Sequence, residues 1–164
     1  MPQTLEPQTR GVHTRLGQAW VVLCLALVLQ VLDETATGFL SVYNPTVMAL
    51  REKVPWLPVP TFRFEIWLGG LLAGCALLLA LSPFAYAGAR WIRPIAYAFA
   101  VLMIFNAMGH TAGTIAGRTF ASVPVPRPMP GFYSSPFLLA GSLYFVVPPA
   151  HAAPWCAIIE STGS

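Results

Sequence analysis

Charge is what this sequence has least of. Only 9% of its residues are charged, against about 25% in an ordinary soluble domain. A water-soluble surface of normal composition is thereby excluded. The nine basic residues are scattered and the net charge is only +3. No block of Lys and Arg forms a nucleic-acid footprint, so no nucleic-acid partner is expected. Cysteine is also sparse. Cys24, Cys75 and Cys156 lie far apart, with no CxxC or Cys/His spacing of the kind that holds zinc. They read as small apolar fillers. No motif implies a cofactor.

What the chain does have is long apolar runs. It is 56% hydrophobic over 164 residues, which suits one small membrane bundle rather than two domains. Residues 1–16 form a polar N-terminal leader. Ala36-Thr37-Gly38 would pass as a small-residue cleavage site. Asp33 and Glu34 fit poorly behind a signal-peptide core, however, and apolar character resumes at Phe39. The first span is therefore expected to be retained.

About 20 apolar residues cross the hydrocarbon core, and four segments are candidates: 17–42, 64–84, 94–117 and 131–147. Tyr43-Asn44-Pro45 punctuates the first. A short interfacial helix and a rigid loop carrying Pro55, Pro58 and Pro60 follow, because proline lacks the donor a helix needs. Gly70 and Gly74 in the second segment, and Gly109, Gly113 and Gly117 in the third, offer small-residue faces for close helix packing. Prolines at 124, 126, 128 and 130 favour an extended strap before the fourth segment. Residues 148–164 form an irregular tail too broken by proline to span. The expected fold is all-α: an integral membrane four-helix bundle with short loops and a polar site between its first and third spans. Basic residues divide almost evenly between the two sides, so charge counting sets no orientation.

The polar site rests on two stripes of residues that lipid should exclude. An Asp at the centre of a span adds roughly 2.5–3.5 kcal/mol to insertion, yet Asp33 and Glu34 are adjacent inside the first apolar run. Gln30, Asp33, Glu34 and Thr37 follow i, i+3, i+4, i+7 and share one helix face. Asn106, His110 and Thr114 repeat every four residues in the third segment. Asp33 lies 13 residues after Trp20 and Asn106 lies 13 after Arg93, so both sit roughly 20 Å from the same interface. Polar stripes in spanning helices face the bundle interior, which sets the two against each other. Tyr133 and Ser134 enter from the same side and could close the cavity. Neighbouring carboxylates disfavour double ionisation, so Asp33 and Glu34 are expected to share about one proton, with His110 as partner. Such a carboxyl–imidazole set can do general acid–base work. Asp33, Glu34, Asn106 and His110 are the candidate catalytic residues. Gln30, Thr37, Thr114, Tyr133 and Ser134 are the candidate substrate-binding residues.

At these residues the chain resembles the HxxEE-type small four-helix bacterial membrane proteins. Their first helix carries the name motif and a downstream helix carries Asn and His. Gln30 stands where the motif has His, and Asp33-Glu34 stand where it has Glu-Glu. Asn106 and His110 match the downstream pair, and Pro130-Gly131 with Tyr133-Ser134-Ser135-Pro136 is also similar. The likeness covers about residues 17–147. It implies a four-span membrane topology, a site at these residues and an enzymatic activity. Gln at position 30 removes a titratable group or potential metal ligand.

Four functions compete. The first is an intramembrane enzyme, isomerase- or hydrolase-like, acting on a lipid or isoprenoid-like substrate in a bacterial inner membrane. The second is a proton-coupled transporter subunit, which would need a homodimer, with the Gly109/Gly113/Gly117 stripe as interface. The third is a non-catalytic assembly module in which the polar stripe glues subunits together. The fourth, a metal site on Asp33, Glu34 and His110, is the weakest, because one histidine gives a thin nitrogen set.

Overall fold

The computed structural model describes residues 6–146, with side chains from residue 14 onward. The expected C-terminal tail, with Cys156, lies outside the described residues. The described chain is all-helical: α1 (Glu6–Thr37), α2 (Leu40–Lys53), α3 (Phe64–Ala80), α4 (Ser82–Tyr86), α5 (Ile92–Ala116) and α6 (Ser135–Val146). Three stretches are long and apolar enough to cross a membrane: Thr14–Thr37, Phe64–Tyr86 and Ile92–Ala116. The chain is an integral membrane protein by that criterion.

Several expected boundaries move. Helix already begins at Glu6, inside the expected polar leader. The first span ends at Thr37 rather than residue 42. Gly38 adopts a left-handed φ of 75°, and the Phe39 amide donates to the Glu34 carbonyl at 2.9 Å. This six-residue closure is the usual glycine-terminated helix end. Tyr43-Asn44-Pro45 then falls inside α2. Pro45 forgoes one backbone bond in the second turn, but the helix continues to Lys53. Val42, Thr46 and Val47 face inward, while Arg51, Glu52 and Lys53 face outward, as suits a helix at the membrane surface. The proline loop is pinned back onto α2. Asn44 exchanges two hydrogen bonds with the backbone of Phe62, at 2.9 and 3.0 Å, and the Tyr43 hydroxyl donates to the Pro60 carbonyl.

In the fourth segment residues 131–134 form a turn, and α6 follows over 12 residues to the last described position. α6 is central to packing, because it lies against both α1 and α5, which touch each other little. Its Leu138, Gly141, Ser142 and Phe145 are buried. Opposite them, α5 presents Ala96, Ala100, Met103 and Ala107, a small-residue face that permits close approach. On α1, Trp20, Leu23, Cys24 and Ala26 complete the core. The Trp20 indole donates to the Leu78 carbonyl at 2.9 Å, fastening α3 to α1.

The glycines do not pack helix against helix as expected. Gly70, Gly74 and Gly109 have open space where a side chain would stand. Gly113 lies under Met129, and Gly117, with φ 67°, ends α5 beneath the Arg127 guanidinium. The stripe on α5 receives this chain's own connecting strap. A matched pair of alanine variants tests this in detergent unfolding. Gly117→Ala should lose about 1–2 kcal/mol through left-handed strain. Gly74→Ala should be neutral or gain up to about 1 kcal/mol from reduced chain entropy.

Candidate functional site

Near its C-terminal end, α1 turns Gln30, Asp33, Glu34 and Thr37 toward the bundle, as the 3.6-residue period requires. Gln30 is 1% exposed and Glu34 6%. α5 supplies Asn106, His110 and Thr114 at the same level. His110 is 3% exposed. The third contributor is the turn at 131–135 that leads into α6.

Glu34 and His110 meet directly, Oε1 to Nε2, at 2.9 Å. The same imidazole nitrogen lies 3.1 Å from Asn106 Oδ1. A hydrogen carried on Nε2 serves both oxygens. Nδ1 is buried and has no hydrogen-bond partner among the described residues. The ring of Phe39 tilts against the imidazole at a centroid distance of 5.6 Å and stacks in turn on Trp67.

Gln30 joins this pair to the turn. Its amide nitrogen donates to Glu34 Oε1 at 3.0 Å and to the Gly131 carbonyl at 3.1 Å. Both partners are acceptors, which fixes the orientation of the amide. Its oxygen accepts from the Ser134 hydroxyl at 2.7 Å. Asp33 is served separately: its Oδ2 accepts from the Ser134 amide at 2.8 Å and lies 2.8 Å from the Ser134 hydroxyl. The hydroxyl has one hydrogen for two close acceptors, Gln30 Oε1 and Asp33 Oδ2.

The structure thus brings Gln30, Asp33, Glu34, Asn106, His110 and Ser134 together, but with roles the sequence did not specify. Asp33 and Glu34 have different partners rather than a common one. Adjacent helical positions diverge by about 100°, so neighbours in sequence need not share a ligand. Thr37 and Thr114 clamp the strap: Thr37 accepts from the Gly131 amide at 3.3 Å, and Thr114 accepts from the Met129 amide at 3.0 Å. Tyr133 is 63% exposed and packs on Phe132, away from the polar groups. Among the described residues, no group of three His, Cys, Asp or Glu side chains is placed to hold a metal ion. Asp33, Glu34 and His110, weighed as the weakest of the four possibilities, do not form such a group.

Three contributors were not read from the sequence as site residues. Ser135 donates to the Gly131 carbonyl at 2.7 Å. Phe39 covers His110, and nothing in its local pattern signals that. Gly131 is the third, and its position after Pro130 was the available signal. It has φ 84°, and a methyl group on it would lie 2.5 Å from Gln30 Nε2 and 2.6 Å from His110 Cε1.

A cavity of about 400 Å³ adjoins this cluster, bounded by α2, α5 and the strap. Asn106 and His110 are the members of the polar cluster that line it. The Asn106 amide nitrogen makes no hydrogen bond among the described residues, which leaves a donor for a guest. Glu34, bonded to the same imidazole, does not line the cavity.

Glycine variants separate strain from crowding. Gly38→Ala carries only the left-handed cost, since its side-chain space is open, with a single hydroxyl at 4.0 Å. It should lose about 1–2 kcal/mol. Gly131→Ala should lose more, by about 1–3 kcal/mol, in the same unfolding assay. Equal losses would mean that the turn does not crowd Gln30 and His110.

No protein-family model, no curated protein and no solved structure matches this chain, so its functional reading rests on the geometry above.

Proposed function

We propose that this protein is an intramembrane acid–base enzyme acting on a lipid or isoprenoid-like substrate in a bacterial inner membrane. The observation that carries the reading is the buried 2.9 Å contact between Glu34 and His110, beside a cavity that His110 and Asn106 line. Bringing a carboxylate and an imidazole into a lipid-facing bundle is costly. An amide pair would fix helix register with neutral groups. Glu34 behind His110 orients the ring and stabilises it when it takes a proton, the arrangement common to acid–base dyads. Asn106 holds His110 through its oxygen. Asp33, Gln30 and Ser134 brace the turn at Gly131 against the pair. The likeness to HxxEE-type proteins, with Gln30 in the place of His, belongs to the same proposal.

A second reading has one specific observation in its favour. Only Trp67 and Cys75 of α3 are buried, and its Gly69, Gly70 and Gly74 are open. Small-residue faces of this kind support association in lipid. On this reading the protein is an assembly module or homodimer, and polar-cluster variants lose assembly rather than turnover.

The test uses the full chain in nanodiscs with a bacterial lipid extract and polyprenyl alcohols, read by mass spectrometry. Wild type should convert a component of the mixture. Glu34→Gln and His110→Gln, checked for folding, should slow that conversion by about 10²–10⁴-fold. Folded variants that match wild type would remove the pair from any reaction. Loss of oligomer without loss of conversion would favour assembly as the role of the cluster.

A further inference from the structure

The cavity has a direction as well as a volume. On α5 it is lined by Phe105, Gly109 and Ala112, all exposed and all inside a membrane-crossing stretch. Its mouth therefore faces acyl chains, and a guest enters sideways from the bilayer rather than from water. Its volume of about 400 Å³ is near the small end of the ~300–1,000 Å³ typical of ligand sites, which suits one hydrocarbon chain better than two.

At its outer end the lining includes Arg118, the first residue past the cap of α5. Arg118 is exposed and forms no ion pair among the described residues. The topology places Arg51, Lys53, Arg63 and Arg127 at the same end of the bundle, with Glu52 and Glu65 as the carboxylates outside the polar cluster of Asp33 and Glu34. Glu65 faces Arg63 at 3.9 Å. This end of the bundle is therefore net positive and attracts an anionic head group. Arg118 follows His110 by eight residues, or about 12 Å along the helix axis. A head group at Arg118 puts the chain, not the head, beside His110 and Asn106.

We infer that this chamber binds a single-chain anionic amphiphile taken laterally from the bilayer, with its head on Arg118 and a point about 12 Å down its chain at His110 and Asn106. The inference names the substrate class for the proposed enzyme and rests on that reading only for what happens at His110. Fatty-acid-like and prenyl-phosphate-like molecules share the required chemistry.

Binding to the purified full chain by native mass spectrometry tests it, with oleate, farnesyl phosphate, oleyl alcohol and dioleoylphosphatidate as probes. Oleate, farnesyl phosphate or both should bind saturably at one copy per chain, and whichever binds more tightly names the source. Gly109 has no atom within 4 Å of where a side chain would start, so Gly109→Phe should fill the chamber without disturbing the fold. It should weaken binding of the preferred probe at least about tenfold. Ala112→Phe, at the same mouth, repeats the test should the first variant unfold. Arg118→Gln should weaken the anionic probe about tenfold and leave oleyl alcohol unchanged. Absence of saturable binding by both single-chain anions, tighter binding of the two-chain phosphatidate, or full binding by folded Gly109→Phe and Ala112→Phe would each overturn the inference. Binding without turnover of any lipid would remove the catalytic reading and leave the chamber. Turnover without such binding would remove the chamber and leave catalysis.

Discussion

One polar contact, Glu34 Oε1 to His110 Nε2 at 2.9 Å, joins two helices that otherwise touch little. α6 stands between most of α1 and α5. The two long helices meet through the rings of Trp20 and Phe99 in their first halves and again near their C-terminal ends, where the bundle is polar. In a medium with no water to satisfy stray groups, every donor in that region needs a protein partner. The cluster meets most of that demand through Gln30, Asn106, Ser134 and the carbonyl of Gly131. The amide nitrogen of Asn106 and the Nδ1 atom of His110 have no partner among the described residues.

The turn at residues 131–135 is what makes the convergence possible. It brings backbone groups to the level of the side chains. The Gly131 carbonyl accepts from Gln30 and Ser135, its amide donates to Thr37, and the Ser134 amide donates to Asp33. A residue with a side chain at 131 would need both an unfavourable φ and space already taken by Gln30 and His110. The strap before it lies on the glycine face of α5, where Gly113 and Gly117 give way to Met129 and Arg127. Small residues here admit a loop, and that loop forms one wall of the cavity.

Much of this was legible in the sequence, for physical reasons. The three long spans follow from hydropathy and length. The two polar stripes follow from helical periodicity, and equal distance from an interface was enough to place Glu34 and His110 at one level. Other features were set by tertiary contacts or by single torsions. One glycine, Gly38, ends α1 inside an apolar run. Asn44 holds the proline loop and lies in a helix that a Tyr-Asn-Pro triplet appeared to forbid. The last apolar segment opens later than its composition suggests, because residues 131–134 are committed to the turn at Ser134. The separation of Asp33 from Glu34 follows from helix geometry, yet which partner each would find depended on a strap whose path no local pattern encodes.

The account depends on Glu34 and His110 interacting in a water-poor interior rather than lying near each other by accident of packing. A double-mutant cycle on unfolding in a membrane mimetic, with Glu34→Gln, His110→Gln and the double variant, measures that interaction directly. The expected coupling is above about 1 kcal/mol, in the upper part of the range for polar pairs inside membranes. Single-variant losses that simply add, within about 0.3–0.5 kcal/mol, would contradict it.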